Sequence, residues 1–214
     1  MYKFLFAIFI LLISACSSHS YDHQTNTFTS NCFFDDLSPD ETGLSFQVKG
    51  NDAYISGVIC SDSLDVYEDL IEANPHINRF IFVNVPGSID DEVNLALSKE
   101  IRKQGINSLM KSNGMVASGG TDLFLAGNQR TIEQGALIGI HEWASNDDIR
   151  GSKLSRSAPL DANHLMYINY YAFIGLDQPE EFYFFTLDSA PADDIYYMTT
   201  EEIEQFGIAN VINQ

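Results

Sequence analysis

Three short stretches of the chain carry residue types that acyl-transfer chemistry uses. Pro86-Gly87-Ser88 follows an apolar, β-rich run, Ala117-Ser118-Gly119-Gly120 stands where a second such run gives way to a helical pattern, and His141 closes the run Ala136-Leu137-Ile138-Gly139-Ile140. A serine that attacks a carbonyl needs a base within hydrogen-bond reach, a group that orients the base, and N–H donors for the oxyanion. A serine that opens a helix has unpaired N–H groups beside it, and a Gly-rich loop brings further backbone close because it has no Cβ in the way. Taken singly, each stretch also has an ordinary reading: serines cap turns, and Pro-Gly-Ser is common in loops. The Ser118 turn is not the G-x-S-x-G elbow, since Val116 stands at the place of the first Gly. Nor is it a phosphate loop, because no Gly-Lys-Ser/Thr follows.

The elements that must position these residues alternate in type. Residues 44–48 and 53–59 read as strands around a polar turn, 64–73 as a helix before Asn74-Pro75, and 78–85 as a strand buried on both faces. A helix follows over 89–104, with Asp90, Asp91 and Glu92 in its first turn, Arg102 and Lys103 in its last, and Gly105 as its stop. Residues 106–110 read as a strand, 121–126 as a short helix, 136–141 as a strand, 146–157 as a polar loop, 160–174 as a long aromatic helix, 199–206 as an acidic helix and 208–212 as a closing strand. This order predicts an α/β domain with a mostly parallel sheet. Right-handed crossovers would gather both Gly-containing turns and His141 at the carboxyl edge of that sheet.

From about Tyr54 onward the sequence resembles the Clp-protease/crotonase-like superfamily, and within it the exported Clp-protease-like periplasmic members that work without an ATPase. The stretches that carry the resemblance are FIFVNVPGSIDDEVNLALSKEIRKQG, MVASGGTDLFLAG, GALIGIHEW and DDIYYMTTEEIEQFGIAN. It implies repeated β-β-α units, a mostly parallel sheet flanked by helices, and a serine hydrolase acting on peptides or proteins without a cofactor or metal. The family's nucleophile falls on Ser118 and its base on His141, 23 residues later. Its oxyanion donors fall on Gly119 and on Gly87 or Ser88, and its orienting acid on Asp194, with Asp193 next and Asp188 third. Ser88 replaces the family's second loop Gly, and Gly119-Gly120 replaces a bulkier pair. Some relatives pair the serine with a lysine, for which Lys153 is the best placed here. Helix 160–174 would be a protomer contact in a homo-oligomer or an ordinary core-facing helix. The other outcomes are a member that kept the sheet as a binding or scaffold lipoprotein without catalysis, and acyl-CoA chemistry, against which export to a CoA-poor compartment stands.

The 214 residues carry a net charge of −19, which argues against nucleic acid and against a polybasic grip on anionic lipid. With 45% apolar and 12% aromatic residues the chain can build one sizeable core. Residues 1–15 read as a signal peptide: Lys3, an apolar run over 4–13, and small residues before Cys16. Ile13-Ser14-Ala15-Cys16 resembles a bacterial lipobox, which makes Cys16 the lipidated first residue and anchors the protein at the periplasmic face of the cell envelope, on the outer membrane. An ordinary secretory signal is the alternative. Residues 16–30 then read as a polar tether, with His19 and His23 as solvated tail residues, and 31–214 as the domain. Export leaves Cys32 and Cys60, 28 residues apart, free to bridge or to remain buried thiols.

Overall fold

Two-residue alternation builds the first half of the sheet. The computed structural model of the chain describes residues 20–32, 41–145, 147 and 149–212, so the signal segment, Cys16 and His19 lie outside the described residues. Strands β3 (Ser45–Lys49) and β4 (Asp52–Ser56) bury every second side chain, which sets Phe46, Val48, Ala53 and Ile55 on one face. Ahead of them lie β1 (Ser20–Asp22) and β2 (Thr27–Thr29), an antiparallel hairpin whose second strand pairs with β3. The stretch read as a tether is therefore part of the sheet from Ser20 on. Phe28, which pairs with Phe46 and is buried, is the reason a polar segment docks there.

Helix α1 (Ser63–Ala73) leads into β5 (Arg79–Val85), α2 (Asp91–Gln104) into β6 (Asn107–Ala117), and α3 (Gly119–Leu125) into β7 (Arg130–Glu133) and β8 (Leu137–Ile140). Helices α4 (Ala162–Phe173) and α5 (Pro179–Ser189), strand β9 (Tyr196–Tyr197), helix α6 (Thr200–Gln205) and strand β10 (Asn210–Ile212) complete the domain. The sheet runs β1-β2-β3-β4-β5-β6-β7-β10, parallel from β4 onward. On the side away from β5, strand β6 serves two partners: residues 108–110 pair with β7 and residues 115–117 with β8, both parallel. Strand β8 in turn takes β9 antiparallel.

The charge order of α2 works as its sequence implies. Asp90 caps the first turn by accepting from the Val93 N–H, and Gly105 ends the helix at φ 71°. Leu95, Leu97 and Ile101 are buried on its inner face, each contributing about 1.5–3 kcal/mol of apolar burial. Helix α4 turns Tyr167, Tyr170 and Tyr171 into the core, the core-facing alternative for this helix, while Leu165 and Phe173 stand exposed on its outer side. Cys32 and Cys60 are joined by a disulfide, Cα to Cα 5.6 Å, which ties the segment after β2 to the chain that follows β4. Among the described residues no helix is long and apolar enough to cross a membrane.

Candidate active site

The register of three strands decides what meets at the sheet's carboxyl edge. Val85 pairs with Val116 across β5 and β6, and Ala117 pairs with Gly139 across β6 and β8. The residues that follow, Pro86-Gly87-Ser88, Ser118 and His141, therefore leave the sheet side by side. The turn after β6 is bonded to β8 directly: Gly139 O accepts from the Ser118 N–H at 3.1 Å and from the Thr121 hydroxyl at 2.7 Å.

Ser118 itself has φ 53° and ψ −130°, a backbone conformation that residues with a Cβ rarely adopt. Strain of this kind costs on the order of 1–3 kcal/mol and persists only where neighbours impose it. Here the constraint is close packing: a Cβ on Gly120 would lie 2.0 Å from Val85 O, so the chain turns hard against β5 directly after Ser118. The strand-to-helix turn presents the Ser118 side chain at the mouth of a cavity, half-buried, with no hydrogen-bond partner among the described residues.

Ser88 and Gly119 interlock. A Cβ on Gly119 would stand 2.4 Å from Ser88 Oγ and 2.7 Å from Ser88 Cβ, so the hydroxymethyl of Ser88 fills the place a side chain at 119 would need. The Ser88 hydroxyl donates to Asp91 of α2, whose other carboxylate oxygen accepts from the Tyr167 hydroxyl of α4 at 2.5 Å. Asn94 Nδ2, also on α2, holds Gly119 O at 2.9 Å. Gly87 O accepts from the Ile59 N–H at 3.0 Å on the β4 side. In a trans peptide the C=O and N–H point opposite ways, so the Ser88 N–H faces the β6 side, where Ser118 stands. Neither that N–H nor the Gly119 N–H has a hydrogen-bond partner among the described residues.

His141 shares both adjoining spaces with Ser118. One is a narrow cavity of about 40 Å³ that also touches Asp91, Trp143 and Tyr167, and the other is an open groove of about 320 Å³ along Gly87, Ser88 and Ile195. The ring makes no hydrogen bond to Ser118, and its buried Nδ1 has no partner among the described residues. Such bonds are often long or unformed without substrate and tighten in the complex. Burial pushes the imidazole below its ordinary value, while the Ala192 backbone and the charges of Asp91 and Glu142 pull part of the way back. The loop after His141 is anchored by Glu142, which meets Arg150 at 3.2 Å and whose N–H donates to Ala190 O.

None of the expected acids is hydrogen-bonded to the ring. Asp194 is exposed and accepts from the Ile195 N–H at 2.8 Å, and Asp193 is exposed beside it. The side chain that this segment turns toward Ser118 and His141 is Ile195. Asp193 and Asp194 belong to a turn closed by the Asp194 N–H on Pro191 O, and that turn leaves both carboxylates in solvent before Ile195 leads into β9. Asp188 is paired bidentately with Arg156, and Lys153 is exposed on a 3-10 turn away from both spaces. Two acids that the sequence reading passed over do line the narrow cavity. Asp91 is one; Asp122 is the other, held by the Tyr171 hydroxyl at 2.7 Å and pushed up to about 7 by burial. Their clue was the position of both in the first turn of a helix that follows one of the two Gly-containing turns. Among the described residues no group of three or more His, Cys, Asp or Glu is arranged to hold a metal.

No protein-family model matches the chain, and no curated protein does. Solved structures do. The ClpP protease catalytic domain from Plasmodium falciparum is similar over 75% of this chain and 84% of its own, at 22% identity and a TM-score of 0.52. A membrane-bound stomatin-specific protease solved with a substrate peptide covers 75% of this chain and 74% of its own, at 17% identity and 0.46. An enoyl-CoA hydratase/isomerase from Cupriavidus metallidurans covers 83% of this chain and 69% of its own, at 16% identity and 0.47. The chain has the Clp-protease/crotonase-like fold.

Proposed function

We propose, with the Clp-protease/crotonase-like fold as the premise, that this chain is a serine hydrolase of peptides in which Ser118 is the nucleophile and His141 the base. The observation that carries the reading is the strained turn after β6, which sets Ser118 into the same two spaces as His141, with the Ser88 and Gly119 N–H groups unpaired beside it. In the reaction Ser118 Oγ bonds to the carbonyl carbon as its proton passes to His141. The Ser88 and Gly119 N–H groups hold the oxyanion. Collapse breaks the C–N bond, His141 returns the proton to the leaving amine, and water, deprotonated by the same ring, releases the acyl group. No Asp joins this set from the Asp194 segment. The imidazolium that forms is met by the charge of Asp91 across the cavity and by the Ala192 backbone.

Export and lipidation on Cys16 are part of the reading: they follow from the sequence of residues 1–16, and the Cys32–Cys60 disulfide fits an oxidising compartment. They would place the site at the periplasmic face of a bacterial outer membrane, against polypeptide substrates and without an ATPase.

A second reading, a binding domain without catalysis, is favoured by one observation: the buried Nδ1 of His141 has no hydrogen-bond partner among the described residues, so no carboxylate orients the ring. Incubation of the purified protein with an unfolded polypeptide such as β-casein separates the two. The hydrolase reading expects new peptides from the native protein and at least a hundredfold less from Ser118→Ala. Equal proteolysis by both proteins, or none by either, would remove it.

A further inference from the structure

The narrow cavity at Ser118 has walls that define what it can accept. The rings of Trp143, Tyr167 and Tyr183 stack in a row, with centroids 6.3 Å and 5.5 Å apart and planes within 19° and 13°. Each ring is pinned at its polar end. Tyr183 accepts from Trp143 Nε1 at 2.9 Å and is bonded to His164 Nδ1 at 2.8 Å, while Tyr167 donates to Asp91. Tyr167 and Tyr183 are buried, so no outward swing is open to them. On the opposite wall Gly119 cannot recede, because Ser88 fills the space behind it. The cavity's volume of about 40 Å³ is about an eighth of the roughly 320 Å³ of the adjoining groove, so it favours the smallest side chains.

We propose that this cavity receives the side chain on the carbonyl side of the scissile bond, and that it restricts the protein to cleavage after small, uncharged residues such as alanine and serine. The inference rests on the hydrolase reading above and names its substrate class. A side chain enters the narrow cavity while the extended substrate runs along the wider groove past Gly87 and Ile195. Leucine or phenylalanine would have to displace the pinned rings. The Asp91 carboxylate in the lining repels acidic side chains. Serine fits both ways, since its hydroxyl can donate to this acceptor.

The test uses the purified protein and peptidyl aminocoumarins that share one leaving group and differ only in the residue before it: alanine, serine, leucine or phenylalanine. The expected kcat/KM for alanine and serine exceeds that for leucine and phenylalanine at least thirtyfold, in the range that a closed pocket achieves by size. A parallel series of peptidyl diphenyl phosphonates with the same four side chains reads the same ratio from the rate of Ser118 modification, so slow turnover does not hide it. Trp143→Ala widens one wall and raises the phenylalanine-to-alanine ratio at least tenfold. Thr186→Ala, a milder change in the same lining, raises the leucine-to-alanine ratio. Leucine or phenylalanine accepted as well as alanine by the native protein, or ratios unmoved in both variants, would overturn the pocket assignment while leaving the hydrolase intact. Absence of both cleavage and phosphonate modification would remove the hydrolase reading, and this inference with it.

Discussion

Ser88 and Gly119 are best understood as one packing decision. Each looks like a departure when taken singly, because a side chain appears in the oxyanion loop and disappears after the nucleophile. Together they exchange volume across the β5 and β6 turns, with Ser88 tied back to Asp91 so that its N–H stays presented to the site. Gly119→Ala should therefore lower the rate at which Ser118 reacts with a phosphonate by on the order of a hundredfold, the cost of misplacing an oxyanion donor. Ser88→Gly in the same chain should recover at least tenfold of that loss, and a double-mutant cycle on the labelling rate reads the coupling. The sequence made both residues visible as turn residues but not as partners, since a contact between two loops has no local pattern. His141 carries the pH dependence. Its neutral form is the active base, and burial holds the ring below its ordinary 6.5, so the acid limb of kcat/KM should have its midpoint below pH 6.5. Asp91→Asn, which removes a charge that pulls the ring upward, should move that midpoint lower still, and a pH profile for both proteins checks the sign.

The element that most changes the chemistry is the shortest strand. The turn before β9 sets Ile195 along the groove and leaves Asp194 exposed, where it accepts from the Ile195 N–H. Sequence order could bring an acid to this region but could not fix its phase, because two consecutive aspartates and an isoleucine give no alternation to count. Ile195→Asp should supply the missing carboxylate: we expect a raised pKa for His141, seen in its ring resonances, and at least a tenfold gain in phosphonate labelling. An unchanged titration would show that the segment does not face the ring. The long periodic elements were legible, with α2 and β5 found close to their observed bounds. Helix α5 was not. Its sequence PEEFYFFTLDS is aromatic on too many sides to show a helical stripe, and it packs against α4 by bulk. Strand β7 was hidden for a different reason: four residues, two of them charged, pair only because β6 and β10 flank them.

At the scale of the whole molecule, the sheet extends further toward the amino end than polarity suggests. Hairpin β1–β2 carries one buried aromatic, Phe28, and the disulfide fastens the segment that follows it, so the link to any anchor at Cys16 is shorter than the sequence reading allowed. Closing a 28-residue loop contributes roughly 3–4 kcal/mol in the chain-entropy account. The variant Cys32→Ser with Cys60→Ser should melt about 10 °C lower, and the native protein should fall to the same temperature under reductant. The α/β class and the convergence of two turns and a strand end at one sheet edge could be read from the order of elements, because parallel crossovers leave few other places for them. The narrowness of the pocket could not, since rings from α4, α5 and the loop after β8 meet there from residues far apart in the chain. The most direct measurement is treatment of the folded, purified protein with a fluorophosphonate, followed by peptide mass mapping. The account expects a single adduct on Ser118, formed far more slowly in His141→Ala and absent from Ser118→Ala. An unmodified Ser118 at saturating probe, or modification at the same rate without His141, would contradict it.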